Sequence, residues 1–440
     1  MTLRTTQCWR AWYKAGCWFV VALVFVLFTL QVSAQGEPVG STREPKSTIR
    51  IVTYGTHEHL DEVASRFMAS HPEFTVEVET YSFEEYPQKI PVMIASNAAP
   101  DIFQTWAQYK VPWIEAGLIM DMTSFWSRYV DLSDNLFPFV LETVLHDGRY
   151  WGVPHDFNSE VWILVKDRFD AAGIAIPYDD WTVEEFRQYA QLLTDRQGRW
   201  LGAANPVAAG WGSSWQWTRN WTGQGWVSDD RTEPLVDKAE NVEMLTFFLE
   251  MVTQDESMNG AGLAAPQDVW AGGYSMWQGW VDFSFQLASN GTYDFRFATM
   301  PRSRHGQKAF AQGHMWSVPV NAPNPDGAFV FLEWLMSKEG QEAMVAIGKR
   351  QPLSPDFELW DLYFSQLPAS VRDHVRTFVL DVLYGQANVD IMRYWITWPQ
   401  VNDIMVRHLS DVFNLRESPA NAMTQAAQEI RNHLSSGEER

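Results

Sequence analysis

One segment near the start of the chain restricts the possible folds more than any other. Residues 49–54 read IRIVTY and residues 74–81 read FTVEVETY, and both alternate apolar with polar side chains as strands do. Between them, apolar residues recur at helical spacing, at Leu60, Val63, Ala64, Phe67 and Met68. A strand, a helix and a second strand in this order predict a βαβ unit, and therefore an α/β fold.

The length of the chain indicates more than one such unit. It has 440 residues, whereas a single domain holds about 100 to 200. Further helices are predicted from Asp326 to about Gly348 and from Pro419 to about Leu434. Thr182 and Glu185 form the T-x-x-E pattern of a capping box, which predicts another helix start. We therefore expect two α/β domains.

The first 34 residues have the pattern of an export signal. Basic residues precede the apolar run CWFVVALVFVLFTL at residues 17–30, and no acidic residue occurs up to its end. The run is shorter than a membrane-spanning helix, which favours a signal peptide over a retained anchor. Small residues at Val32 and Ala34 predict cleavage before Gln35. Residues 35–48, rich in Pro and Gly, are predicted to form a flexible leader.

The cysteines and the charges restrict the location and the partners. Cys8 and Cys17 both precede the predicted cleavage site, so the mature chain would have no disulfide or lipidated cysteine, which suits a bacterial periplasm. Cleavage would remove three of the 33 Lys and Arg and leave 30 against 54 Asp and Glu, a net charge of −24. Nucleic acid is not an expected partner, because phosphate binding depends on basic residues.

A stretch of tryptophans occupies the middle of the chain. Residues 211–226, WGSSWQWTRNWTGQGW, contain five tryptophans between small and polar residues. Their spacing fits neither helix nor strand well, which predicts loop-borne rings on a recognition surface. In an extended segment Trp211, Trp215 and Trp217 would lie on one side. Flat rings give a ligand contact area, although packing of single rings in a core is an alternative.

Several segments match one family in order and in spacing. In the first half they are NAAPDIFQTW at 97–106, EAGLIMDMT at 115–123 and HDGRYWGVPHDFNSEVWILVKDRFDAAGI at 146–174. In the second half they are YSMWQGW at 274–280, ATMPRS at 298–303, FVFLEWLMSKEGQEAM at 329–344, RQPLSPDF at 350–357 and SPANAMTQAAQEI at 418–430. Together they resemble the family 1 extracellular solute-binding proteins of bacterial ABC importers, the group that includes maltose-binding protein.

The resemblance implies an α/β, two-lobe periplasmic binding protein type II fold with crossover hinge segments. The first lobe would contain residues 49–157 plus about 302–352, and the second residues 158–301 plus about 353–440. Such a protein closes on its ligand by hinge rotation and delivers it to the membrane subunits of an ABC importer. We expect a monomer that binds a sugar without a cofactor, and the many tryptophans favour an oligosaccharide.

The resemblance also indicates which side chains would contact the sugar. Trp106 in the first lobe and Trp280 in the second would be aromatic platforms. Asp156 and Asn158, on the first crossover, would bind hydroxyl groups, because carboxylates and amides accept hydrogen bonds from them. The full set of predicted ligand-binding residues is His57, Glu58, Trp106, Asp156, Asn158, Trp211, Trp215, Trp217, Trp277, Trp280 and Trp395.

Two other functions stay open. A secreted glycoside hydrolase also lines a groove with tryptophans and needs only two carboxylates. Acidic pairs such as Asp179-Asp180 and Asp229-Asp230 occur, but none has a recognisable catalytic context, so no catalytic residue is predicted. An adaptor that binds another envelope protein is the second alternative. His57 and His59 do not share a helix face, so no metal site is expected.

Overall fold

The computed structural model describes residues 47–435, except for 56–57, 129–134, 198, 209–210, 261–268, 292–293, 348–349, 387 and 392–397. The predicted signal peptide and its cleavage site at Gln35 lie outside the described residues. The first strand begins at Ser47, so the last two residues of the predicted leader belong to it. No helix of the described part of the chain is long and apolar enough to cross a membrane.

The first sheet is built on the predicted βαβ unit. Its strands are β1 (Ser47–Tyr54), β2 (Phe74–Tyr81), β3 (Ile102–Thr105), β6 (Val153–Pro154) and β12 (Met315–Ser317). Parallel strands need a crossover connection, and the helix at residues 58–70 provides it between β1 and β2. The strand order is β2-β1-β3-β12-β6; β1 is parallel to β2 and β3, and β12 is antiparallel to β3 and β6. A separate hairpin pairs β4 (Leu145–His146) with β5 (Arg149–Tyr150).

Helices pack on this sheet through apolar side chains at helical spacing, which form one buried cluster with the strands. The helices are α1 (Glu58–Ser70), α2 (Tyr86–Ala95), α3 (Ala107–Glu115), α4 (Thr123–Trp126), α5 (Pro138–Glu142), α11 (Pro325–Met336) and α12 (Lys338–Ala346). The predicted helix from Asp326 to about Gly348 is thus two helices. Ser337, in an extended conformation, ends α11 and caps α12 by accepting a hydrogen bond from the Gly340 N–H.

The second sheet contains the strands from the middle of the chain. Its strands are β7 (Asn158–Val165), β8 (Leu201–Ala203), β9 (Tyr274–Trp280), β10 (Phe295–Ala298), β11 (Ala309–Gln312) and β13 (Val389–Ile391). The central strand β7 is antiparallel to β9, β10 and β11. The strand order is β13-β11-β7-β9-β8, and β10 pairs with the C-terminal end of β7.

A second buried cluster surrounds this sheet and includes the C-terminal helices. The helices are α6 (Lys166–Ala172), α7 (Val183–Leu192), α8 (Trp211–Thr222), α9 (Ala239–Thr253), α10 (Phe283–Asn290), α13 (Phe357–Ser365), α14 (Ala369–Thr377), a π-helix (Phe378–Tyr384), α15 (Trp398–Phe413) and α16 (Pro419–Ser435). Two sheets, each with its own core, confirm the α/β fold with two lobes.

The chain passes between the sheets more than once. It leaves the first sheet after Pro154 and enters the second at Asn158. It returns between Gln312 and Met315, which is later than residue 302, where the second part of the first lobe was expected to begin. A third crossing, around Gln351, follows α12 and leads to α13. These three crossover segments bring residues that are distant in sequence to one place.

The capping box of α7 gives a direct test of local structure. The Thr182 hydroxyl accepts a hydrogen bond from the Glu185 N–H at 3.2 Å, and the Glu185 carboxylate accepts one from the Thr182 N–H at 2.8 Å. Thr182→Ala should lower the free energy of unfolding by about 1 kcal/mol, because an amide loses its partner. Urea denaturation measures it. Thr246→Ala, in the exposed interior of α9, is the control, with a change within about 0.5 kcal/mol; equal losses would contradict a capping effect.

Candidate ligand-binding site

The candidate site lies where the crossovers meet the strand ends of both sheets. In the first sheet, β1 ends at Tyr54 and β3 ends just before Trp106. In the second, β7 starts at Asn158, whose neighbour in register is Gln312, the last residue of β11. On the other side of β7, Glu160 pairs with Trp280, the last residue of β9. Ligands of open α/β sheets bind at such strand ends.

An aromatic cluster covers the first-lobe end of this region. Trp106, only 2% exposed, lies between the stacked rings of Phe83 and Tyr86, with centroid distances of 4.5 and 5.4 Å. The edge of Tyr54 meets the same indole at 4.6 Å. Phe83 is 48% exposed, so it offers the open ring face of this cluster. The predicted platform Trp106 therefore lies beneath Phe83.

Electrostatics show that this cluster faces other parts of the site. Burial raises the pKa of Tyr54 to about 12, and the negative charge of Asp156 on the first crossover adds to the shift. Burial also raises the pKa of Tyr109 in α3, with a further contribution from Asp403. Asp403 belongs to α15, a helix of the second lobe. Tyr109 is thus close enough to the other lobe to sense its charge.

In the second lobe, Trp280 is the half-buried ring at the strand end. Its indole packs against Phe310 with a centroid distance of 5.8 Å. Glu160 lies on β7 between β9 and β11, the strands that carry these two rings. The three residues Phe310, Glu160 and Trp280 are called the platform row below. Sequence reasoning predicted only Trp280 of this row.

The tryptophan stretch is helical up to Thr222, so the expectation of loop-borne rings is wrong for the four tryptophans before that residue. Residues 211–222 form α8, in which positions two apart point to different sides. Trp217 is fully buried, and its indole N–H donates to Gln278 at 3.0 Å. Trp215, 7% exposed, lies under the guanidinium of Arg219, 4.9 Å from the ring centroid. These contacts place Trp217 in the core.

Other rings of the stretch also pack inside the second lobe. Trp221 and Trp226 are 5% and 1% exposed, and Trp226 stacks on Trp398 at 5.1 Å. Trp277, predicted as a ligand-binding residue, is 2% exposed in the middle of β9. Trp211 begins α8, and its side chain lies outside the described part. The large number of tryptophans thus serves mainly the core of this lobe.

Asp156 connects all three crossover segments. One carboxylate oxygen accepts hydrogen bonds from the backbone N–H and Nδ1 of His314 at 2.9 and 2.8 Å. The other lies 3.0 Å from Nδ1 of His155 and 3.5 Å from Nη1 of Arg350. Burial alone would raise the pKa of Asp156, but the charges and hydrogen bonds of the two histidines hold it well below its usual range. Its oxygens are therefore already engaged by the protein.

Asn158 takes part in a second network of the crossovers. Its Nδ2 donates to Asp282 at 3.0 Å, and its Oδ1 accepts from Nε2 of Gln351 at 2.8 Å. Asp282 also accepts from the Tyr363 hydroxyl at 3.0 Å, and burial raises the pKa of Asp282 to about 6. The Tyr384 hydroxyl donates to Gln351 at 2.6 Å. Asp156 and Asn158, two of the four polar residues predicted to bind ligand, thus connect the crossover segments.

The remaining predicted residues are only partly visible. His57 and Trp395 lie outside the described residues, and Glu58 is seen only as the first residue of α1. For these residues, ligand contact stays a prediction.

One group of potential metal ligands occurs in the described ranges, formed by Glu115, His146 and Asp147. His146 Nε2 lies 3.4 Å from the Glu115 carboxylate and 3.6 Å from that of Asp147. Both carboxylates are more than half exposed. None of the three is a residue of the platform row or of the crossover networks.

Sequence reasoning missed Tyr54, Phe83, Glu160 and Phe310. A signal existed for Glu160, which is an acid directly before the apolar run VWILV of the same strand. A buried strand interior excludes an unneeded charge, so an acid there suggests a role. The importance of Phe83 and Phe310 depends on contacts between distant segments, which no local pattern reveals.

Two α/β lobes, three crossovers and aromatic rings at the strand ends define a two-lobe solute-binding protein. The chain belongs to the bacterial extracellular solute-binding protein family, whose model matches residues 62–368.

Solved structures of low sequence identity share the fold over nearly the whole chain. The ABC substrate-binding protein Lmo0181 of Listeria monocytogenes, in complex with cycloalternan, is 21% identical with a TM-score of 0.78, covering 89% of this chain and 99% of that one. The GacH receptor of Streptomyces glaucescens, solved unliganded and with acarbose, is 16% identical, TM-score 0.73, with coverages of 89% and 99%. Maltose-bound MalE3 of T. maritima is 16% identical, TM-score 0.73, with coverages of 88% and 100%.

Proposed function

We propose that this protein captures a sugar, an oligosaccharide rather than a monosaccharide, between its two lobes and delivers it to an ABC importer. The observation that carries the proposal is the pair of accessible rings at the strand ends, Phe83 in the first lobe and Trp280 in the second. A sugar has apolar C–H faces, on which such rings can stack, and a rim of hydroxyl groups. Rings from both lobes would contact one ligand only if the lobes close on it.

The ligands of three similar structures support this choice, whereas two others are named with α-D-tagatose and ribitol. Cycloalternan, acarbose and maltose, named for three of them, are all glycans of two or more rings.

We further propose the lobe boundaries and the site. The first lobe would comprise residues 49–157 and 313–352, and the second residues 158–312 and 353–440. Of the predicted residues, Trp280 would contact the sugar directly, and Trp106 would support the open ring of Phe83. Asp156 and Asn158 would set the hinge, while contacts from His57, Glu58, Trp211 and Trp395 remain part of the proposal.

The family is extracellular, and we propose that this protein is a periplasmic monomer that begins at Gln35. The apolar run before that residue carries this proposal. Intact-mass measurement of the periplasmic fraction tests it. A chain that retains Met1 in the membrane fraction would contradict it.

A glycan panel read by thermal shift on residues 35–440 tests the function. A ligand at a hundred times its dissociation constant stabilises the folded state by about 2.7 kcal/mol, which raises the melting temperature measurably. Neutral di- to hexasaccharides of α and β linkage are the probes, with amino acids and phosphorylated sugars as controls. Stabilisation by the controls alone would overturn the proposal.

The bound glycan should be recovered unchanged. A binding protein has no turnover, whereas an enzyme of typical rate, about 10 per second, would consume a millimolar substrate within minutes. The glycan selected by the panel is incubated with the protein for a day and analysed by chromatography. Product that increases in proportion to protein concentration would favour a glycoside hydrolase instead.

A further inference from the structure

Glu160 is a buried carboxylate at the opening of the second lobe. It lies two residues after Asn158 of the crossover network, and it is the partner of Trp280 in the β7–β9 register. Only 6% of its surface is exposed. It is therefore the charged member of the platform row and is flanked by strands that carry aromatic rings.

The carboxylate is held in one orientation by two donors. The Ser213 hydroxyl, in the first turn of α8, donates to one oxygen at 2.6 Å, and Nε2 of Gln278 donates to the other. Gln278 is itself fixed, because its Oε1 accepts the indole N–H of Trp217. An ionised carboxylate offers about four acceptor positions, so roughly half of them are left for a ligand.

Glu160 differs from Asp156 in its charged partners. Among the described residues, no Lys, Arg or His forms an ion pair with Glu160, whereas Asp156 pairs with two histidines and Arg350. Burial raises the pKa of Glu160 to about 7, and the hydrogen bonds from Ser213 and Gln278 offset only part of that shift. An uncompensated charge next to a ligand site is favourable only if the ligand compensates it.

From this geometry we propose that Glu160 makes the site selective for glycans that carry a protonated amine. The proposal rests on the proposed glycan-binding function and specifies its ligand class. An ammonium group supplies the missing positive charge and N–H donors for the free acceptor positions. The face of Trp280 adds a favourable cation–π contact, and the acidic chain attracts cations from a distance.

Matched pairs of sugars in which amines replace hydroxyl groups test the selectivity. Cellotetraose is compared with the fully deacetylated glucosamine tetramer of the same β linkage, and trehalose with 2-amino-2-deoxytrehalose for α linkage. Calorimetry at pH 6.5 should give on the order of tenfold tighter binding of the amine in at least one pair, the range of a hydrogen bond to a charged group. Binding should also release a proton, because the ammonium favours ionised Glu160; titration in two buffers of different ionisation enthalpy measures it.

Glu160→Gln is the variant that removes the charge and retains the shape. The new amide can accept from Gln278 and donate to the Ser213 hydroxyl, so the fold should be retained. The preference for the amine should fall to about onefold, and the proton release should vanish. Glu77→Gln, on the exposed side of β2, removes one charge elsewhere and should change neither value.

The outcomes separate this inference from the function beneath it. Equal affinity for both members of every pair, or a preference that persists in Glu160→Gln, overturns the role of Glu160 while glycan binding stands. If a neutral glycan binds in the panel but neither amine binds, the role of Glu160 is likewise overturned while glycan binding stands. No binding of any glycan overturns the proposed function itself. The wild-type affinity ratio and proton release decide the matter even if the variant does not fold.

Discussion

Replacing Trp280 with alanine is expected to weaken glycan binding by about 2–4 kcal/mol, the range of an aromatic hot spot. The indole is half-buried and rests on Phe310, so its exposed face is available to a ligand while its other side is supported. Calorimetry with the glycan selected by the panel measures the loss, which corresponds to about 30- to 1000-fold in dissociation constant. The fold should persist, because only part of the ring contributes to the core.

The matched control is a tryptophan far from the strand ends. Trp334 in α11 is 5% exposed and packs edge-on against Phe67 of α1 at 5.5 Å. Trp334→Ala should cost about 3–5 kcal/mol of folding stability and leave the affinity of the folded protein unchanged. If Trp280→Ala instead lowers stability by that amount and binds the glycan as before, Trp280 is a core residue and the site is misassigned.

Replacing Asp156 with alanine is expected to destabilise the protein by about 3–5 kcal/mol. The change removes the buried carboxylate that His155, His314 and Arg350 all contact. Guanidinium denaturation at pH 7 measures the loss. Asp411→Ala removes an exposed ion pair with Arg416 and should cost less than about 1 kcal/mol. An unchanged stability with complete loss of binding would show that Asp156 contacts the ligand instead.

The effect of Asp156 should also depend on pH in a defined direction. Its pKa is lowered in the folded protein, so the stability it contributes is present above its unfolded value of about 3.9 and is lost as pH falls below it. The difference in stability between the wild type and Asp156→Asn should therefore persist down to about pH 5 and should shrink only under stronger acid. Convergence of the two curves near pH 6 would contradict an ionised, hydrogen-bonded Asp156.

The parts of the fold that depend on neighbouring residues could be predicted. The alternation in residues 49–54 and 74–81 gave two parallel strands, and the Thr182 pattern gave a complete capping box. Local periodicity failed where a specific contact decides the conformation. In α8, Gly212 permits the helix to approach Phe310, since a Cβ there would lie 2.1 Å from that ring. The small residues that suggested a loop allow this helix to pack closely against Phe310.

The candidate site could be predicted only in part, because it depends on contacts between distant segments. The resemblance to the family identified Trp280, Asp156 and Asn158 as members of the region, but not which of them contact the ligand. Asp156 contacts Arg350, almost two hundred positions later in the chain. Only the three-dimensional structure therefore shows that the carboxylate oxygens of Asp156 already have partners. Phe83, the open ring above Trp106, comes from a turn without any motif.

Small-angle scattering of residues 35–440, with and without the glycan that the panel selects, tests the central claim most directly. If one sugar is held by rings of both lobes, binding must rotate the lobes toward each other about the crossovers, as in hinge closure. The radius of gyration should therefore fall at saturating glycan. A radius that stays unchanged while calorimetry shows one sugar bound per chain would contradict capture between the lobes.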